Sequence, residues 1–256
     1  MKTTTNNIVS LSGGKDSTCM AEMMVDNGEP MHSMVYCDMS PWEFPEMHDH
    51  IKAVEKSTGI PVVRVKPRWD PVYMLTQKPI IKRGSKEIYR FGNNWPSAMR
   101  RWCTREKMNA LHRYLKSIHG AVSCVGLAID ETIRLKSSEA ASRKITCRYP
   151  LIEYGVTEAK ALQYCYDKGY TWDGLYQIFD RVSCFCCPLQ PLGELRKLRR
   201  HFPDLWSRML DWDSQIDTSW GVGFKGYSTV LDLENRFDEE DRQGDLFPEM
   251  EAVNCG

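Results

Sequence analysis

The chain has 256 residues, with 34 Lys+Arg against 34 Asp+Glu, 42% hydrophobic residues and 10 cysteines. Such a composition excludes disordered, collagenous and disulfide-stapled miniprotein classes, and the zero net charge argues against bulk affinity for nucleic acid while allowing a local basic patch. No run nears the roughly 18 apolar residues of a membrane span, and Met1 to Asn7 lacks a signal-peptide core, so we expect a soluble, cytoplasmic protein with no membrane partner.

Ile8 to Leu11 reads as a short buried strand, followed by Ser12-Gly13-Gly14 and a helix over Asp16 to Asp26. A strand is predicted at Met31 to Cys37, a helix at Glu46 to Thr58 and a β-branched strand at Pro61 to Val65. Apolar spacing gives a helix over Thr104 to Ile118, then a buried strand at Ala121 to Leu127. Strands alternating with helices imply a Rossmann-like, doubly wound parallel sheet, with ligands beyond the carboxyl ends of the strands. Near residue 150 the pattern changes to a capped helix at Thr157 to Lys168 and helical sequence from Pro191 to Trp212, interrupted at Pro203. We therefore expect an α/β domain over 1–150 and a Cys-rich helical portion over 151–256. The neutral total hides two opposed segments. Lys78 to Arg113 carries ten Lys/Arg against two Glu, and Asp232 to Glu251 carries nine Asp/Glu against two Arg.

Ser12, Gly13, Gly14, Lys15, Asp16 and Ser17 lie between the first strand and the first helix. Glycines let the backbone approach a phosphate, and successive N–H groups with a helix N-terminus form an anion nest. Lys15 adds a cation and the serines add hydroxyl donors. The spacing matches neither a Walker A loop nor Gly-x-Gly-x-x-Gly. The bland alternative is a tight turn capped by Asp16 or Ser17.

Ser-Gly-Gly-Lys-Asp-Ser resembles the PP-loop of the adenine nucleotide alpha-hydrolases, or N-type ATP pyrophosphatases. Within them the chain resembles the phosphoadenosine phosphosulfate (PAPS) reductase-like family. Asp38 with Glu43-Phe44-Pro45-Glu46 is similar to the family's stretch after the second strand, near the nucleotide. Trp102-Cys103-Thr104-x-x-Lys107, Gly126 to Glu131 with Arg134, Tyr149 to Glu153, and Arg181-x-x-Cys184-x-x-Cys187-Pro188 are similar to later family segments in the same order. The resemblance implies nucleotide contacts from residues 12–17, Asp38, Gly126, Glu131 and Arg134. Ala128 stands where the family has Arg, which removes one expected phosphate or sulfate contact. Two departures favour ATP use over PAPS reduction: the chain ends Asn254-Cys255-Gly256 in place of a longer Glu-Cys-Gly-(Leu/Ile)-His, and it keeps the intact Ser-Gly-Gly-Lys-Asp-Ser that PAPS reductases tend to lack.

The leading expectation is therefore cleavage of ATP to AMP and pyrophosphate, activating an acceptor for sulfur transfer. Lys15 and the loop would hold phosphates, and Mg²⁺ would be shared by Asp16 or Asp130. A sulfonucleotide reductase using Cys255 as nucleophile is the alternative, and a non-enzymatic, metal-stapled binding module is the third reading. In a reducing compartment, clustered cysteines point to a metal before disulfides. Cys184 and Cys187, with Cys103 and Cys186, fit a [4Fe–4S] cluster, with zinc as the alternative. Cys19, Cys37, Cys124, Cys147 and Cys165 read as small buried hydrophobes. His48 and His50 read as solvated or capping residues, and Arg196 to His201 as a solvated helical face able to meet nucleic acid. Aromatics among the cations of Lys78 to Arg113 suit a nucleotide or a single strand. The acceptor is anionic, and a nucleic acid is one candidate.

Overall fold

The computed structural model describes residues 6–131, 145–217 and 223–246. In chain order the elements are β1 (Asn6–Ser10), α1 (Lys15–Asp26), β2 (Ser33–Cys37), α2 (Glu46–Thr58), β3 (Val62–Val65), α3 (Pro71–Thr76), β4 (Pro79–Ile81), β5 (Ile88–Phe91), α4 (Trp102–Ser117), β6 (Ala121–Val125) and β7 (Thr146–Arg148). There follow α5 (Pro150–Glu153), α6 (Glu158–Asp167), a 3₁₀ turn at Trp172–Gly174, α7 (Leu175–Ile178), α8 (Leu192–His201), α9 (Pro203–Ser214) and α10 (Val230–Leu246). No described helix is long and apolar enough to cross a membrane. The chain forms two compact units, one from Met1–Pro71 and Cys103–Phe185, the other from Val72–Trp102 and Cys186–Gly256. Residue 150, where the sequence changes character, lies inside the first unit.

The first unit is built on a five-stranded parallel sheet of order β3-β2-β1-β6-β7, with helices flanking it. The inner strands are apolar on both faces, as a sheet covered on both sides requires. Ile8, Val9, Met34, Val35 and Tyr36 are fully buried. Ile8 and Val35 pack with Leu115, Leu111 and Tyr114 of α4. The chain runs outward from β1 to β3 and returns to place β6 on the other side of β1, so the strand order reverses between β1 and β6. Loops leaving that reversal open a crevice at the carboxyl edge.

Beneath the crevice lies a buried polar and aromatic contact. His50 of α2 is 6% exposed, its Nε2 is 2.8 Å from Thr18 Oγ1 of α1, and its ring stacks on Trp172 at 4.5 Å. The solvated or capping role expected for His50 is thus corrected: α2 turns this position inward, against α1 and the 3₁₀ turn. His48 faces the other way, with Nε2 2.9 Å from Ser40 Oγ.

In the second unit, α3 and the antiparallel β4–β5 ribbon accompany α8, α9 and α10. Trp95 anchors the earlier segment, donating from Nε1 to Asp213 Oδ1 at 2.6 Å and meeting Phe224 edge-on. The basic run of α8 is not a bare solvated face. Arg199 pairs with Glu234 at 3.0 Å and Asp241 at 2.6 Å, and also with Asp238, while Arg196 pairs with Glu240. All four acids belong to α10, so residues 232–241 of the acidic segment form a helix that neutralises part of α8.

Two outcomes follow from these contacts. Burial pushes the His50 imidazole down to about 3, against 6.5 for a free one. The folded protein therefore holds His50 neutral while the unfolded chain protonates it, and stability falls as pH drops below 6.5 towards 3. Denaturation of wild type and His50→Gln across that range should show a pH slope steeper in wild type by up to about 1.4 kcal/mol per pH unit. Equal slopes would contradict a buried neutral imidazole. Separately, Arg199→Ala breaks a network rather than one surface pair, so it should cost about 1–2 kcal/mol in a urea titration, shrinking at high salt.

Candidate active site

The loop from Leu11 to Gly14 joins the buried strand β1 to α1, and its conformation rests on a few contacts. Gly13 has φ +81°, and a Cβ there would lie 2.6 Å from Met47 Cε. Its carbonyl accepts from Trp172 Nε1 at 2.7 Å. Ser17 Oγ lies 3.0 Å from Ser12 Oγ, accepts from Ser12 N at 3.1 Å and donates to Gly14 O at 3.0 Å. One residue beyond Gly14, Lys15 N donates to Tyr176 Oη at 2.8 Å. The phenol thus occupies one of the donors that a helix start leaves open.

Gly126, just after β6, brings the second loop against the first. A Cβ at Gly126 would sit 2.8 Å from both Ser17 N and Ser17 Cα. The backbones therefore meet directly, and no side chain fits between them. Farther along, Ala128 N donates to Glu131 Oε2 at 3.3 Å, and Glu158 N donates to the Asp130 carboxylate at 3.1 Å. Asp130 thereby caps the start of α6, together with Thr157, whose hydroxyl accepts from Lys160 N at 3.3 Å.

Lys15 is the cation of this crevice and is 8% exposed. Its Nζ lies 2.5 Å from Glu158 Oε2 and 3.4 Å from Asp16 Oδ2. Burial works against the ammonium charge, but Glu158 and Asp16 more than offset it, and the net shift is upward. Asp16 is also shifted upward, by burial first, with Glu131 and Glu158 adding to it against the pull of Lys15. Its Oδ1 is buried and takes no hydrogen bond. That open oxygen, with the Glu131 and Glu158 carboxylates near enough to raise the Asp16 pKa, is oxygen chemistry of the kind a hard divalent cation takes, while the Lys15 ammonium opposes one.

Asp38, at the end of β2, forms a neighbouring cluster. It accepts from Ser40 N at 2.9 Å and Ser40 Oγ at 2.6 Å, and lies 3.6 Å from Lys66 Nζ. Burial would raise its pKa, but these partners hold it below the usual carboxylate range. A cavity of about 260 Å³ lies beside it, lined by Asp38, Ser40, Lys66 and Trp69 among others. Ligand atoms of Asp38, Glu43 and His48 lie within 4.8 Å of one another. Glu43, however, is already committed: it accepts from Tyr36 Oη and from Met39 N at 3.1 Å, and pairs with Lys107 at 3.6 Å. Desolvation opposes the charge of Lys107, but Glu43 and then Cys184 favour it, and its pKa is raised.

The first unit thus gathers Ser12 to Ser17, Gly126, Asp130 and Glu131 around Lys15. Glu158, Tyr176 and Trp172 join them, and none of these three was singled out from the sequence. Only Glu158 carried a hint, as an acid just after a Thr cap. Arg134 and Cys255 lie outside the described residues. Cys103 and Cys184 are partly exposed in the first unit. Cys186 is fully buried and Cys187 partly exposed in the second. Of the cysteines read as core, Cys19, Cys37, Cys124 and Cys165 are buried, and Cys147 is partly exposed. Burial pushes the Cys37 and Cys124 thiols up to about 11 and about 12.

Comparison with known proteins agrees with this architecture. The model of the phosphoadenosine phosphosulfate reductase domain matches residues 6–190. An uncharacterized protein of Methanocaldococcus jannaschii is 24% identical over 210 residues, which cover 78% of this chain. The match spans 40% of that relative's length. With the loop, the reversed strand order and a family match over most of its length, the chain belongs to the PAPS reductase family of PP-loop proteins.

Proposed function

We propose that the chain binds ATP at the Ser12–Ser17 loop and cleaves it between the alpha and beta phosphates, adenylating an acceptor for sulfur transfer. One observation carries this reading: an intact Ser-Gly-Gly-Lys-Asp-Ser loop at the strand-order reversal, with Lys15 nearly buried beside it. Lys15 spends its charge on Glu158 and Asp16. Phosphate oxygens would take the place of Glu158, whose side chain is 45% exposed and can turn to water at little cost. An acceptor oxygen then attacks the alpha phosphorus, the bond to the bridging oxygen breaks, and pyrophosphate leaves with that electron pair. Stabilising charge on the departing pyrophosphate is the main catalytic demand. Mg²⁺ bound by Asp16 would supply part of that stabilisation. Asp16 suits this better than Asp130, because Asp16 keeps an uncommitted oxygen while Asp130 is engaged by Glu158 N.

The family match favours a second reading, reduction of a sulfonucleotide. In that case the Cys255 thiolate attacks the sulfur of the sulfo group, forming an S-sulfocysteine and releasing the adenosine bisphosphate; an external dithiol then displaces sulfite from that cysteine and is itself oxidised to a disulfide. For either reaction we propose Cys103, Cys184, Cys186 and Cys187 as ligands of a [4Fe–4S] cluster, with zinc as the alternative. The Cys-x-x-Cys spacing and the Pro after it support this, as does the half-buried Lys107, whose charge Cys184 favours.

Calorimetric titration with ATP and magnesium should show binding that Lys15→Ala weakens by about 10- to 100-fold, the worth of a charge-assisted hydrogen bond. Unchanged ATP affinity in Lys15→Ala would remove the proposal. Release of pyrophosphate, assayed with candidate acceptors, should cease with EDTA and survive deletion of residues 255–256. If that deletion instead abolishes sulfite release from PAPS, the reductase reading replaces the first. Anaerobically purified protein should contain stoichiometric iron and inorganic sulfide, and Cys184→Ser and Cys187→Ser should each lose them. Stoichiometric zinc without sulfide would select the alternative.

A further inference from the structure

The β4–β5 ribbon of the second unit plays no part in the nucleotide reading, and the inference drawn from it stands independently of that reading. The ribbon is a sheet of its own, pairing Pro79 with Phe91, Ile80 with Arg90 and Ile81 with Ile88. Two strands alone are marginally stable in water, yet this pair is pinned at its base. Gly92 N donates to Lys78 O at 2.9 Å, and Asn93 donates to Met74 O from both its backbone and its side chain, each at 2.9 Å. The tip is closed by Lys82 N to Glu87 O at 2.9 Å and Ser85 N to Lys82 O at 3.1 Å.

On this anchored scaffold the large apolar side chains face water. Ile81 and Phe91 are each 56% exposed, Ile88 is 49% exposed and Tyr89 is 42% exposed. Soluble proteins seldom leave such side chains grouped without a use. Residues 78–91 also hold five Lys/Arg against one Glu, and Arg83 and Lys86 at the tip are exposed. Tyr89 and Phe91 lie two residues apart on β5, where the ladder is irregular: Ile80 pairs with Arg90 and Ile81 with Ile88, leaving Tyr89 as the extra residue of a bulge. The Arg90 guanidinium lies 5.6 Å from the centre of the Tyr89 ring. A ribbon made for a membrane surface would segregate its charges from its apolar face. Here cations and rings interleave along one short hairpin. That mixture complements a polyanion whose repeating units present both a phosphate and an aromatic plane.

We propose that the β4–β5 hairpin is a docking surface for single-stranded nucleic acid. Tyr89 and Phe91 stack on bases, while Lys82, Arg83 and Lys86 meet phosphates. The stacking is sequence-tolerant, because every base offers a π-face.

The test is fluorescence anisotropy of the full chain with labelled mixed-sequence DNA and RNA single strands of about 12 nucleotides, without ATP. Binding should weaken with salt at a log–log slope of about −2, as for three neutralised phosphates. Arg83→Glu with Lys86→Glu should weaken binding and flatten that slope. Tyr89→Ala with Phe91→Ala should weaken it at least about tenfold while leaving the slope unchanged. Thermal melts of the variants should match wild type. If the alanine pair melts early, Tyr89→Leu with Phe91→Leu keeps the apolar bulk without the rings and must show the same loss. Wild type that ignores every oligonucleotide, binds duplex more tightly than single strands, or binds phosphatidylserine vesicles instead overturns the proposal. So does binding that neither pair of substitutions alters.

Discussion

The whole nucleotide crevice depends on a backbone-to-backbone contact between the loop after β6 and the first turn of α1. Because β1 and β6 are neighbours in the sheet, their carboxyl-end loops leave side by side. With hydrogen as its side chain, Gly126 can lie against Ser17 where a Cβ would overlap the backbone at 2.8 Å. That approach fixes the distance between Lys15 on one loop and Glu131 on the other. It also sets where Asp130 caps α6, and so where Glu158 begins. A methyl group at position 126 would part the loops and shift every carboxylate of the crevice relative to Lys15. The fold supplies the edge, and this one close contact turns the edge into a site.

Electrostatics explains why Lys15 tolerates such burial. An ammonium taken out of water needs a partner, and here Glu158 and Asp16 provide it, so Lys15 stays charged at neutral pH. The same carboxylates crowd one another, which shows in the upward shift of Asp16. Among the described residues, a polyphosphate entering this crevice meets Lys15 and an excess of acid. It can be held only if Glu158 withdraws and further positive charge arrives with it.

Much of the first unit was legible in sequence because its strands are buried on both faces and read as uninterrupted apolar runs. Glu46–Thr58 agrees residue for residue with the helix read from apolar spacing, and α8 and α9 part at Pro203. The partners of the loop were illegible for a different reason. Glu158, Trp172 and Tyr176 reach Lys15 and Gly13 across 143 to 161 residues, and a single acid or aromatic in a helical stretch carries no spacing signal. His50 misled because a two-residue offset from His48 says that they face apart, not which of them faces inward. The acidic segment misled in the opposite sense. Its composition suggested a tail, while its i, i+4 and i+7 acids, Glu234, Asp238 and Asp241, align on one helical face opposite Arg199.

That alignment changes what the zero net charge means. Charge cancels in two ways, by pairing in place or by summation over distant surfaces, and only the first removes a potential. In the second unit α10 pairs with Arg196 and Arg199 of α8 at contact distance, so part of that basic run is cancelled in place. The cations at the tip of the β4–β5 ribbon have little such cover. Lys82 meets Glu87 only at 4.0 Å, with both side chains largely exposed, a separation at which water screens most of the attraction. The cations of the hairpin thus keep more of their charge open to solvent than Arg196 and Arg199 do. Charge density in the sequence marked both α8 and the Lys78 to Arg113 segment that holds the ribbon. Pairing geometry decides for the ribbon.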